Sequence, residues 1–336
     1  MKPEVEVICK EIIQPSSPSP GGLLRYQLSF LDQITPRVYN PLVLFYSKIY
    51  VIRNLVPGKL NILFPFELYD AGELPPRIQF NIFDCGGIGV GMCISHKVGD
   101  ALSFFAFFSK SLHQQLSGYN PNIHQTKVKI ITKRFVFTAS KIEEIRGKYV
   151  DNSSSENLEC PIHIEALSAF IWSWFVASTK VRSRPVTFCA IFHLVNLRTK
   201  MELPLPDYSS GTLYSFSMTV PSMDEGEICH NLLSQIKDSI RKLDKEYVKK
   251  VQDAQDHLDY IKEMVGKLIR GETIYFSFSS LCKFPLYEAD FGWGKPIWVG
   301  SATLASMHGV IFQDIISSDG IEAWINLKEE DMAKFD

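Results

Sequence analysis

Residues 78–103 read IQFNIFDCGGIGVGMCISHKVGDALS, and the rest of the chain is organised around them. Apolar residues alternate at Ile78, Phe80 and Ile82, and again at Ile88, Val90, Met92 and Ile94, so the spacing predicts two strands. Between them, Asp84-Cys85-Gly86-Gly87 supplies the turn residues of a hairpin. The second strand ends at Ser95. His96 follows at once and Asp100 four residues later, just before an apolar helical run that opens at Leu102. An ionisable pair at the mouth of an otherwise apolar, glycine-rich hairpin is a place to look for chemistry. Alone the spacing is weak, because chance supplies roughly 0.4 His-x-x-x-Asp pairs in a chain of this composition. The plain alternative is a helix N-terminus, with His96 near the cap and Asp100 in the first turn.

Composition excludes several classes. At 336 residues the chain can bury a large core, and two domains are expected. Its net charge is −2 with no long block of like charge, so no nucleic-acid partner is expected. The seven cysteines are scattered and never spaced as CxxC, so neither a disulfide framework nor a zinc ribbon is indicated. Cys93, His96 and Asp100 have no second cluster to complete a metal site, and no metal is expected. The start, MKPEVEVICKEIIQPSSPSP, lacks the apolar stretch of a secretory leader, and no apolar run approaches a membrane span. A cytoplasmic protein with no membrane partner is therefore expected.

Along the chain, Glu4 to Cys9, Leu24 to Phe30 and Val38 to Tyr46 read as strands, with an Asp-Gln-Ile-Thr-Pro bend before Val38. A helix is expected from about Ala101 to Leu116, ended by Ser117-Gly118. Polar, turn-rich residues 118–126 make a linker, dividing an N-terminal domain (1–117) from a C-terminal one (127–336). Beyond it the pattern predicts a strand over Lys127 to Phe137, then a helix to Val150 opened by a Ser140-Lys-Ile-Glu143 capping box. A buried helix over Ile164 to Ser178 carries Trp172 and Trp174, which read as core residues. A buried strand follows over Pro185 to Leu197, where His193 reads as a core histidine rather than a catalyst. Gly226 to Leu268 reads as two charged amphipathic helices, and Thr273 to Ser279, Val310 to Ile316 and Ile321 to Leu327 as strands. Strands and helices without a regular βαβ rhythm give a two-domain α/β architecture rather than a doubly wound sheet.

The glycines at 86, 87, 89 and 91 do not form GxGxxG, and neither GxSxG nor HExxH occurs. What changes the weight of His96 and Asp100 is Asp290-Phe291-Gly292-Trp293-Gly294, nearly two hundred residues later. The ordered pair resembles the two signatures, HxxxD and DFGWG, of the BAHD family of plant acyl-CoA-dependent acyltransferases. Gln14-Pro15-Ser16-Ser17-Pro18, Leu28 to Gln33, Phe83 to Gly87, Val195-Asn196-Leu197-Arg198 and Asp319 to Trp324 agree with it, so the resemblance runs from end to end. Within the family the chain looks closest to the vinorine-synthase-like branch, which acylates alkaloids and other specialised alcohols.

The resemblance implies the two-domain CoA-dependent acyltransferase fold, with mixed sheets, flanking helices and a channel between the domains. It also implies that a segment from about 290 to 314 crosses back to the first domain. The implied activity is transfer of an acyl group, in the first instance acetyl, from acyl-CoA to a hydroxyl or amine of a plant specialised metabolite. His96 would be the general base, a role suited to a side chain whose ordinary pKa is about 6.5. Trp293 would offer its indole N–H to the tetrahedral oxyanion. Asp100 would pair with Arg198 to shape the histidine turn, and Asp290, Gly292 and Gly294 would be structural. Acyl-CoA would be a co-substrate with no resident cofactor, the partners being acyl-CoA and a small-molecule acceptor, and the protein a monomer.

The chain also departs from the family. It is shorter, and between Tyr46 and Asn54 it lacks the expected helix and the FYPLAGR-like stretch after it. The connection from Leu116 to Lys127 is short, and the chain stops before the family's usual last element. Gly211-Thr212 stands where Gly-Asn is common. These departures keep a second reading open: a shortened, weak or inactive relative serving as a binding or regulatory protein. A hydrolase using water activated by His96 is a minor third reading.

Overall fold

The computed structural model describes residues 29–35, 39–46, 77–84, 86–103, 130–149, 162–179, 188–207, 209–221, 228–251, 273–291, 294–301, 308–316 and 319–334. The strand expected at Glu4 to Cys9, the linker expected at 118–126, the part of the expected helix beyond residue 103 and the stretch 47–76 all lie outside them.

By its internal contacts the chain divides into two units. One gathers Met1–Lys127, Pro206–Leu213 and Phe284–Ala305, and the other Val128–Leu205, Tyr214–Lys283 and Ser306–Asp336. The first unit holds a four-stranded sheet in the order β2-β3-β1-β8, all neighbours antiparallel. Its strands are β1 (Tyr39–Tyr46), β2 (Arg77–Ile82), β3 (Ile88–Ser95) and β8 (Trp298–Gly300). The hairpin forms where the glycines predict it: the N–H of Gly86 donates to the Phe83 carbonyl at 2.7 Å, and that of Phe83 to the Gly87 carbonyl at 3.0 Å. Strand β3 differs from the simple alternation in its sequence. Being central, it is buried on both faces from Gly89 to Ser95, and its small residues, Gly89, Gly91 and Cys93, fill the positions facing away from the large ones.

Two expectations in this unit need correcting. Phe30 is not the end of a strand, and Asp32 to Ile34 are not a bend. Phe30–Ile34 is a short helix, because Ser29 and Asp32 form a reciprocal capping box: Asp32 N–H donates to Ser29 Oγ, and Ser29 N–H to Asp32 Oδ2 at 2.8 Å. A cap of this kind is worth about 1 kcal/mol, enough to tip a marginal turn into a helix.

The second unit holds a six-stranded sheet in the order β4-β10-β9-β7-β5-β6. Its strands are β4 (Ile130–Thr138), β5 (Phe188–Asn196), β6 (Tyr214–Thr219), β7 (Thr273–Ser280), β9 (Gly309–Asp314) and β10 (Gly320–Lys328). Only the β5–β7 and β7–β9 pairs are parallel. The helices Ala139–Gly147, His163–Thr179 and Ile228–Arg241 supply the other layer of its core. Trp172 is buried against Phe175 and Phe276, while Trp174 packs edge-on to Phe135, so both tryptophans are core residues as read. The Ser140–Glu143 capping box does not form. Thr138, still extended at the end of β4, caps the helix two residues earlier, and Glu143 instead meets Arg146. That helix ends at Gly147 rather than Val150.

Candidate active site

The site is built from the first unit alone. Strand β3 delivers His96 into a tight turn, in which the N–H of Val98 donates to the Ser95 carbonyl at 2.9 Å. A strap of three residues, Gly211-Thr212-Leu213, fastens this turn through successive backbone and side-chain groups. The hydroxyl of Thr212 donates to the main-chain oxygen of His96 at 2.8 Å. The N–H of Leu213 donates to Asp100 Oδ2 at 3.0 Å. The carbonyl of Gly211 accepts from Asp100 N–H at 3.3 Å and from Ser103 Oγ at 2.8 Å. Gly211 sits at φ +117°, where a side chain would be strained, and so can turn its carbonyl towards the helix start. The strap is itself anchored, since Thr212 N–H donates to Asp32 Oδ1 at 2.8 Å. Lys97 adds a last tie by donating through Nζ to the Gln33 carbonyl at 3.0 Å.

Asp100 is buried and faces this strap. Its Oδ1 accepts from the N–H and the hydroxyl of Ser103, each at 3.0 Å, so it caps the helix that opens at residue 101. That is the local role its position before an apolar helix suggests. Arg198 belongs to the other unit, buried in the 3-10 turn Arg198–Lys200, with its N–H donating to Asn196 Oδ1 at 3.0 Å.

His96 is half-buried, and burial is the main influence on its ring, holding the pKa below the ordinary histidine value. Its own main-chain oxygen and the charge of Asp100 pull the other way. The result is an imidazole that stays neutral at physiological pH, with a lone pair available to accept a proton.

The second motif opens on the same unit. The hydroxyl of Tyr46, at the end of β1, donates to the Ala289 carbonyl at 2.8 Å, and its ring meets Phe291 edge-on. Burial, and then the negative charge of Asp290, push the Tyr46 pKa up, so the phenol keeps its proton and remains a donor. Asp290 Oδ1 accepts from Gly294 N–H at 3.0 Å, and Gly294 has φ +101°. Gly292 and Trp293 lie outside the described residues. After the motif the chain enters β8, where Ile297 N–H donates to the Phe45 carbonyl and Trp298 packs on Phe45. The residues grouped with the first unit here are Phe284–Ala305, while Gly309–Asp314 lies in the six-stranded sheet.

The sequence names His96 and Asp100 but misses Asp32 and Ser103, which hold their turn. Ser29-x-x-Asp32 is legible as a capping pattern, yet nothing in the chain says that the second carboxylate oxygen reaches a residue 180 positions away. Among the described residues no group of three His, Cys, Asp or Glu converges on a metal position.

A four-stranded antiparallel sheet presenting a fastened histidine turn, in a chain with a second, six-stranded mixed sheet covered by helices, defines a two-unit α/β protein of the CoA-dependent acyltransferase class. Solved structures share that fold. Vinorine synthase superposes with a TM-score of 0.75 over 97% of this chain and 95% of its own, at 22% identity. TRI101 of F. sporotrichioides, complexed with coenzyme A and T-2, gives 0.62 over 91% and 95%, at 16% identity. The family model described as the Transferase family matches residues 3–61 and 109–336. The chain belongs to that family, the BAHD acyl-CoA-dependent acyltransferases. The His96 turn falls between the two matched stretches. Curated relatives include stemmadenine O-acetyltransferase of Catharanthus roseus, 27% identical over 417 aligned positions that span 99% of this chain and 96% of that one. Vinorine synthase of Rauvolfia serpentina is 23% identical, again over 99% and 96%.

Proposed function

We propose that this acyltransferase moves an acyl group, with acetyl-CoA as the first donor to try, onto a hydroxyl or amine of a plant specialised metabolite, with His96 as general base. The observation that carries the reading is the His96 turn. It holds a ring kept neutral by burial, on a backbone tied through Thr212, Leu213 and Asp32. In the reaction, a ring nitrogen of His96 takes the acceptor's proton as the oxygen or nitrogen attacks the thioester carbonyl. The oxyanion collapses, the carbon–sulfur bond breaks, and the proton passes to the departing CoA thiolate. Trp293 is the oxyanion donor in this reading on the strength of the DFGWG motif, and such a donor is typically worth 10²–10³ in rate, as an order of magnitude. The acetyl donor is supported by relatives named as acetyltransferases, and an alkaloid acceptor by stemmadenine O-acetyltransferase. A cytoplasmic monomer completes the reading; cysteines without disulfide spacing accord with a reducing compartment, and the monomer is what the family resemblance implies.

The test is product formation by purified protein given acetyl-CoA and a panel of alkaloid, terpenoid and phenolic alcohols. His96→Ala should lower turnover by roughly 10²-fold or more while the fold survives. A folded H96A protein that keeps near-normal turnover would remove His96 from the chemistry. A second reading, a binding or regulatory relative with little activity, is favoured by length: 336 residues are spread over 417 aligned positions. Acceptor binding without turnover across the panel would support it.

A further inference from the structure

We infer that Thr212 is a positioning residue for the base: its buried hydroxyl, donated to the main-chain oxygen of His96, sets where the imidazole stands. The inference rests on His96 being the general base.

Three observations carry it. Thr212 is 1% exposed, so water cannot substitute for its hydroxyl without opening the turn. Among the described residues its side chain hydrogen-bonds to the main-chain oxygen of His96 itself, at 2.8 Å. Its N–H is held independently by Asp32, a 0% exposed carboxylate whose other oxygen accepts from both the N–H and the hydroxyl of Ser29. The hydroxyl is therefore fixed before it meets the histidine turn. The chain runs Asp32 carboxylate, Thr212 backbone, Thr212 hydroxyl, His96 carbonyl, His96 ring. Gly211 and Leu213 fasten Asp100 on either side of this contact, and of these three residues Thr212 is the one that hydrogen-bonds to the residue bearing the base.

The main-chain oxygen that receives the hydroxyl also favours the protonated ring. A hydroxyl donated to that oxygen draws off part of its electron density. Removing it should let the oxygen stabilise the imidazolium more, besides letting the turn drift. Drift of about 1 Å at a reacting group can cost up to about 10²-fold in rate. The hydroxyl thus has two readable effects, on turnover and on the pH at which the base loses its proton.

The test compares T212V, which keeps the shape and loses the hydroxyl, with T212S, which keeps the hydroxyl and loses the methyl. T212V should lower kcat by about tenfold with KM for acetyl-CoA within about twofold, and should move the acidic limb of kcat/KM to higher pH. T212S should recover most of the lost kcat and the original limb. Should T212V fail to fold, T212A carries the same comparison. Equal impairment of T212V and T212S, or an unmoved limb with folded protein, would overturn the inference, because methyl packing would then explain the loss. Full activity in T212V beside a dead H96A would overturn the positioning role and leave the base standing, whereas full activity in H96A would remove both.

Discussion

Two histidines, one half-buried and one buried, show how differently the same side chain can be held. His96 is tied into a turn by its backbone and reached by the charge of Asp100. His193 lies on β5, its ring stacked on Phe278 at 5.2 Å, and neither ring nitrogen meets a hydrogen-bond partner among the described residues. Burial alone lowers its pKa to about 3. For His96, a lowered value means that the ring stays deprotonated further into acid, as the proposed base should. The acidic limb of kcat/KM should therefore lie below pH 6.5, and a limb at or above 6.5 would contradict a desolvated base. For His193 the consequence is stability. The unfolded chain takes up a proton below its ordinary pKa near 6.5, while the folded chain does not until about pH 3. The contribution is fully present above 6.5 and is lost as pH falls from 6.5 towards 3. At pH 5 the loss is about 2 kcal/mol. His193→Phe, which keeps a ring against Phe278, should flatten that part of the pH dependence. Denaturant unfolding at pH 7.5 and 5 for both proteins reads it directly, and equal slopes would show that His193 is charged or solvated.

Elements were legible from sequence where a period was long and its ends were marked. The helix over His163–Thr179 and strands β5, β7, β9 and β10 appear within a few residues of where Ile164, Pro185, Thr273, Val310 and Ile321 begin their patterns. Boundaries set by one hydrogen bond were not legible: Ser29 starts a helix where a strand end and a bend were expected, and Thr138 starts one two residues before the expected Ser140 cap. The site was legible as a motif and illegible as a structure. His96 and Asp290 announce themselves, but the strap at 211–213 shows only as a Gly-Thr where the family commonly has Gly-Asn, and nothing in that says which distant residues it fastens. The second motif has the same character. Tyr46 holds Ala289 from β1, and Gly294 takes a conformation closed to other residues. Tyr46→Phe should cost about 1 kcal/mol by leaving the Ala289 carbonyl without its donor. Gly294→Ala should cost about 1–3 kcal/mol through the backbone. Both should lower kcat more than they raise KM for acyl-CoA, as expected if this turn aims Trp293. Loss of stability in both variants with kcat untouched would detach the turn from the chemistry.

At the scale of the molecule, both signature motifs are present while the scaffold is short. Relatives carry positions inside the aligned span that this chain lacks, since 336 residues face 417 aligned positions. The resemblance puts one such loss just after β1, beyond Tyr46, in a stretch outside the described residues. On β2, the edge strand next in the described chain, Phe80 is 56% and Ile82 73% exposed. Large apolar side chains that are more than half exposed on a strand at the margin of the described sheet favour association and leave burial energy unused. Covering two such side chains recovers about 1.5–3 kcal/mol each, against a total stability of only about 5–15 kcal/mol for a typical domain. A variant carrying the corresponding segment of vinorine synthase between Ser47 and Val51 should therefore unfold at a higher temperature. It should also show less self-association in sedimentation, and faster acetyl transfer if the added helix steadies the hairpin beneath His96. The opposite outcome is equally readable. A chain as written that unfolds cooperatively at high temperature, stays monomeric and transfers acetyl groups briskly would show that the lost segment is dispensable, and that Phe80 and Ile82 face water at no cost to the enzyme.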